Sequence, residues 1–311
     1  MSVPANLESV AIFGSTVRGD VDAFSDRDIL LAGALVDNAF EAKLSAAGYS
    51  TSCYTWQQMD GLARDGSLFL QHLKQEGRIL VDREGRLESL LTGYRPLREY
   101  GHRIHENLEL FEMVGGAAEF ESLHGWAFDV LAVGFRNHAI LSLANVGRYV
   151  FSFSALVEET AEIHRLSAHE KRLLSDLRVR KRDYRTGCAV DSSNVQLKQT
   201  FALIERITGF RCLSEDRSIE EFISRQIKSA SVAAHWYYPL RRLEGAFRAM
   251  ENASAWLDAR DIETIESIIC RPSPYCGVGA RSVGTLHELV NATFQACLHR
   301  QAASKPALRS S

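Results

Sequence analysis

The stretch FGSTVRGDVDAFSDRDILL, residues 13–31, constrains the chain more than any other. Two short apolar runs, VAIF (10–13) and ILLAG (29–33), enclose a glycine-serine turn, an arginine and an Asp-x-Asp pair. Short, branched runs bounded by turn residues read as buried strands. Side chains alternate across a strand, so Asp26 and Asp28 share one side while Arg27 faces the other. The chain must therefore place a turn and two carboxylates at the edge of a packed core.

Two like charges a few ångströms apart repel, and a divalent cation removes the conflict. Mg²⁺ takes one or two protein carboxylates together with water and phosphate oxygens. The Gly14-Ser15 turn closes the first strand and opens a short helix whose backbone N–H groups suit an anion. Arg18, one turn further, adds a fork of donors for the same phosphates. Metal-binding carboxylates beside a phosphate cradle point to phosphoryl or nucleotidyl transfer, in which positioning and charge neutralisation supply most of the catalysis.

Gly-Ser, ten residues and Asp-x-Asp between apolar strands resembles the DNA polymerase β-like nucleotidyltransferase superfamily. The fuller string is most similar to its minimal nucleotidyltransferase branch, which includes antibiotic adenylyltransferases and antitoxins that nucleotidylate a partner toxin. The resemblance covers residues 8 to about 82. It implies that Gly14 and Ser15 bind a triphosphate, that Arg18 grips a phosphate, and that Asp26 and Asp28 are catalytic and hold Mg²⁺, as two ions. The implied reaction moves NMP from an NTP, with ATP as the expected donor, to a hydroxyl of a small molecule, protein or RNA. Members usually carry a third carboxylate on the next strand. Here YSTSCYTW (49–56) has no acid, and the slot falls near Ser52 or Tyr54. Asp60, or an acid of the later chain such as Glu119 or Glu121, is a possible substitute. The alternative is a catalytically impaired nucleotide- or partner-binding protein of the same fold, antitoxin-like or regulatory.

The rest of the first 95 residues alternates helical and strand signals. NAFEAKLSAAG reads as a helix stopped at Gly48, YSTSCYTW as a strand, SLFLQHLKQEGR as a helix stopped at Gly77, and ILV as a last strand. From Tyr100 onward long helical periodicities dominate. The expected class is α+β: a small mixed-sheet nucleotidyltransferase-like domain (1–95), a helical domain (96–301) and a flexible tail (302–311). The loop CRPSPYCGVG (270–279) interrupts the helices.

Within the helical half, KRLLSDLRVRKRDYRTG (171–187) carries seven basic residues against two acids. Lys171, Arg178, Arg182 and Arg185 fall on one helical stripe, either a solvated face or a lining that contacts phosphate or acceptor through Arg178, Arg182 and Arg185. Its one aromatic, Tyr184, lies toward another face, so no aromatic interleaving for base stacking accompanies the basic run, and no DNA partner is expected. Arg136 and His138 sit in an apolar helix and read as internally satisfied. Arg281 and His287 match a loose ribonuclease spacing that arises readily by chance. Net charge is −3, which excludes a general electrostatic affinity for nucleic acid or membrane. Six dispersed cysteines without a CxxC pair, and no apolar run of membrane-spanning length, fit a cytoplasmic protein with reduced thiols and no membrane partner.

Overall fold

The computed structural model describes residues 4, 7–19, 27–33, 38–188, 194–211, 216–231, 236–250, 259–269 and 280–304. The architecture is α+β, a four-stranded mixed sheet followed by helices. Two compact units are formed, Met1–Glu106 with Arg136–Ser167, and Asn107–Phe135 with Ala168–Ser311. The helical segment 136–167 thus belongs with the sheet, a division different from the change of sequence texture near residue 95.

In the first unit, β1 (Leu7–Phe13) and β2 (Arg27–Gly33) are the central strands, with β3 (Tyr49–Tyr54) beside β2 and β4 (Gly77–Asp82) beside β1. β1 is antiparallel to both neighbours, and β2 and β3 are parallel. Central strands covered on both faces need apolar residues at consecutive positions, and both have them. Val10, Ile12, Ile29 and Leu31 pack with Phe40 and Leu44 of α2 (Asn38–Ala46) on one face. Ala11, Phe13, Leu30 and Ala32 pack on the other face. Their partners there come from α3 (Trp56–Arg64), α4 (Leu68–Glu76) and α5 (Arg86–Gly93). A register shift between Leu7 and Ser9 turns Leu7 onto the α2 face.

The helix boundaries have local causes. α3 begins in a capping box in which the Thr55 hydroxyl accepts from the Gln58 N–H at 3.3 Å while the Gln58 amide accepts from the Thr55 N–H at 2.8 Å. Ser67 caps α4. The stretch 38–48 ends as a helix before Gly48, whose φ of 80° no β-branched residue adopts comfortably.

Beyond the sheet follow α6 (Gly101–Met113), α7 (His124–Asn145), α8 (Phe153–His164), α9 (Ala168–Arg185), α10 (Asn194–Thr208) and α11 (Ile219–Ala230). They are succeeded by α12 (Tyr237–Ala249), α13 (Ala259–Ile269) and α14 (Ala280–Ser304). α14 runs to Ser304, three residues into the segment expected as tail, and the loop 270–279 lies outside the described residues. No helix among the described residues is long and apolar enough to cross a membrane. Cys53, Cys188 and Cys297 are not joined in disulfides.

The second unit is organised around α12, which is buried from Pro239 to Phe247. Its Arg241, fully buried, pairs with Asp129 of α7 and with Glu244. Arg185 of α9 grips the same Asp129 through Nε at 2.9 Å and through Nη2, and the Tyr184 hydroxyl donates to Glu244 at 2.7 Å. Burial alone would raise the Asp129 pKa, but the charges of Arg241 and Arg185 outweigh it and hold the carboxyl below its usual range. The network joins three helices, α7, α9 and α12. Removing one member strands the rest in a medium that solvates charge poorly. An Asp129→Ala variant should therefore lose about 3–5 kcal/mol in urea denaturation, far more than a surface substitution.

His138 of α7 is buried, and burial with the charge of His164 lowers its pKa to about 4. The unfolded chain, in which a histidine titrates near 6.5, binds the proton first. Stability contributed by the neutral ring is complete above about pH 6.5 and is lost as pH falls toward about 4. The loss should reach about 3 kcal/mol relative to a His138→Asn variant whose unfolding is measured over the same range.

Candidate functional site

Every described member of the 13–31 constellation lies at one end of the sheet, where β1 finishes and β2, β3 and β4 begin. Phe13 pairs with Asp28 on one side and with Gly77 on the other. Opposed residues of paired strands share a face. Asp28 consequently stands on the α3–α4 face beyond Phe13 and Leu30, half-buried, at the point where the core ends. Arg27 faces away, as alternation requires, and lies over the Tyr49 ring at 4.2 Å. Asp26 lies outside the described residues.

Gly14 follows Phe13 at φ 69° and ψ −141°, a conformation open in practice to glycine alone. A side chain there would also have nowhere to go. A Cβ on Gly14 would stand 3.2 Å from Asp28 Oδ2 and 3.7 Å from Cε1 of His72. The bare backbone turn, the carboxylate and an imidazole thus converge on one point. Ser15 then opens α1 (Ser15–Arg18), a single turn closed by Gly19 at φ 78°. With four residues it has little macrodipole, so any attraction for an anion rests on individual N–H groups and side chains. The Thr16 hydroxyl oxygen is buried without a hydrogen-bond partner.

Arg18, the last residue of α1, bonds through Nη1 to the Glu76 carboxylate. Glu76 ends α4, next to Gly77, and also accepts from His72 Nε2 at 3.0 Å. An ionised carboxylate can only accept, so His72 carries its proton on Nε2. The ring is held edge-on by Phe13 and stacked on Phe151, with centroids 4.4 Å apart and planes inclined 19°. Burial lowers the His72 pKa, assisted by Arg136 and Arg18 and opposed by the bond to Glu76, which leaves the ring neutral at pH 7. Burial would raise the Glu76 pKa, but the His72 bond and the Arg18 charge prevail and keep it ionised. Arg18 is therefore the cationic partner of Glu76.

Sequence reasoning missed His72 and Glu76, which it treated only as part of an amphipathic helix. Their i, i+4 spacing, immediately before a strand, was the available signal. The expected third acid is absent from β3, where Ser50 opposes Asp28 while Ser52 and Tyr54 oppose Leu30 and Ala32. Asp60 does not replace it. It pairs with Arg86 at 3.1 Å, beyond the far end of β4, where Asp82 opposes Ser9 about 13 Å along the strand from Phe13. Among the described residues, no three His, Cys, Asp or Glu side chains are arranged to hold a metal ion.

The candidate residues of the helical half belong to the second unit. Arg185 is engaged by Asp129, Arg182 bonds Asp183 at 2.5 Å, and Arg178 is half-buried on the same helix. Glu119 pairs with Lys198 at 2.8 Å. His287 lies 3.3 Å from the Ile227 carbonyl oxygen, whereas the Arg281 side chain is outside the described set.

Compared with protein-family models and with curated proteins, the chain matches none. The site must be judged on its own geometry. If the turn at Gly14 is needed as it stands, Gly14→Ala should lose about 1–3 kcal/mol of stability in thermal or urea melts. Alanine at Gly19, also left-handed but with open space around it, should cost less.

Proposed function

We propose that the protein is a Mg²⁺-dependent nucleotidyltransferase of the DNA polymerase β-like type, transferring NMP from an NTP, ATP by preference, to a hydroxyl acceptor. The observation that carries this reading is the convergence of the Gly14 turn, the Asp28 carboxylate and the Arg18-bearing turn of helix at one sheet end. A carboxylate is a hard oxygen donor of the kind Mg²⁺ selects, and Asp28 is half-exposed at the mouth of the turn. Asp28, with Asp26, would hold the metal. When bound, Mg²⁺ supplies neutralisation of the triphosphate charge.

The remaining roles fall to the chain. A backbone without Cβ at Gly14 lets a phosphate approach more closely than any side chain would permit. Ser15 opens the turn beside it, and Arg18, whose own N–H is given to the Gly14 carbonyl, adds a guanidinium whose planar fork matches a phosphate. Held in this way, the α-phosphate meets the acceptor hydroxyl in line. The new P–O bond forms as the bond to the β-phosphate breaks, pyrophosphate leaves and the hydroxyl proton passes to water. Most of the rate comes from orientation and charge. The acceptor is a small molecule, a protein or an RNA.

A second reading has one observation in its favour. Ser50, not an acid, stands opposite Asp28 on β3, and a general base for the attacking hydroxyl is worth about two to four powers of ten. A protein of this fold that binds nucleotide or a partner without turnover is consistent with that substitution.

Incubation with labelled NTPs, Mg²⁺ or Mn²⁺ and a panel of hydroxyl acceptors separates the two. The transferase reading expects label transfer that falls about 100-fold or more in Asp28→Asn. Wild type indistinguishable from Asp28→Asn would reject the enzyme.

A further inference from the structure

We infer that Glu76 and His72 are positioning residues that hold the Arg18 guanidinium where a triphosphate meets it. The inference rests on the reading of the Gly14–Arg18 turn as a triphosphate site, and it concerns two residues outside the motif that suggested that reading. Arg18 stands at the end of a four-residue helix, and a long arginine side chain in such a place surveys many rotamers. A ligand that had to order it would forfeit much of the contact it gained. Here the ordering is already done. Glu76 approaches from the junction of α4 and β4 and bonds Nη1 of Arg18 in a partly buried pair, the side chains being 25% and 12% exposed.

Glu76 is itself fixed. His72, one helical turn earlier, donates Nε2–H to the same carboxylate oxygen that accepts from Arg18. The imidazole cannot swing away, because the Phe13 edge and the Phe151 face enclose it. The Gln75 amide donates to the Tyr149 carbonyl at 3.2 Å and ties the segment bearing Phe151 to α4. A chain of contacts therefore runs from an aromatic cage through a neutral histidine and an ionised glutamate to a single guanidinium. The His72 ring that anchors this chain also lies against the Gly14 turn, where a Cβ would stand 3.7 Å from its Cε1 and 3.2 Å from Asp28 Oδ2. Neutrality of His72 matters to the arrangement, since it leaves Arg18 as the cation that Glu76 balances.

A double-mutant cycle read by calorimetry tests the inference. Wild type, Arg18→Ala, Glu76→Gln and the double variant are titrated with Mg²⁺ and a non-hydrolysable ATP analogue, and separately with adenosine. Glu76→Gln should weaken binding of the analogue about 10-fold and leave adenosine binding unchanged. Added to Arg18→Ala, it should change the analogue affinity less than 2-fold, because its effect passes through Arg18. A purely structural glutamate would weaken both ligands, and its effect would persist in the Arg18→Ala background. That result overturns the inference, as does an unchanged or tighter affinity in Glu76→Gln alone. If Arg18→Ala weakens binding and Glu76→Gln does not, the inference fails while the nucleotide reading stands. If wild type binds no nucleotide, both fall. Should Glu76→Gln not fold, Glu76→Asp, which keeps the charge but draws it back one methylene, takes its place with the same criteria.

Discussion

A backbone with no side chain at residue 14 is the constraint on which the site depends. β1 must stop, reverse its direction and deliver a helical turn within one residue of the core, and the φ and ψ of Gly14 accomplish this. The same absence of a Cβ lets the Asp28 carboxylate and the His72 ring close in on the turn. A methyl group there would push against an oxygen that the strand register has already fixed opposite Phe13. The turn thus determines what can be brought together, while the sheet determines what is brought.

The sheet does so through parity. Alternation along β2 sends Leu30 and Ala32 into the core and leaves Asp28 on the same face where the helical cover ends. A carboxylate at the next even position inward would be buried against Met59 and Leu70, at a large desolvation cost. Placing the acid at the first position past the core keeps it on the correct face and within reach of water. Gly77, on the other side of Phe13, gives Glu76 the same privileged place across β1.

Much of this was legible in the sequence. Branched runs between turn residues located the central strands, and glycine stops located the ends of α2 and α4. The spacing of the glycine turn and the carboxylate pointed to their nearness, and Asp28 does stand beside the Gly14 turn. The division into units was not legible, because an apolar helix such as α7 gives no sign of which core each of its turns will join. Nor were His72 and Glu76, since a histidine inside an amphipathic helix looks like any other core-facing residue until the aromatic groups around it are known. The basic stripe of α9 was legible as a stripe but not as a structure. Arg185 turns inward to a buried aspartate contributed by α7, and a contact of such sequence separation leaves no local trace.

The central claim is that the Gly14–Arg18 turn and Asp28 form one receptor for a metal-bound triphosphate. Crystals grown with Mn²⁺ and a non-hydrolysable nucleoside triphosphate, with the ion located by its anomalous scattering, test it most directly. The account predicts manganese on the Asp28 carboxylate with the phosphates lying over the turn. Manganese and nucleotide bound elsewhere, with the Asp28 side chain directed to solvent, would contradict it.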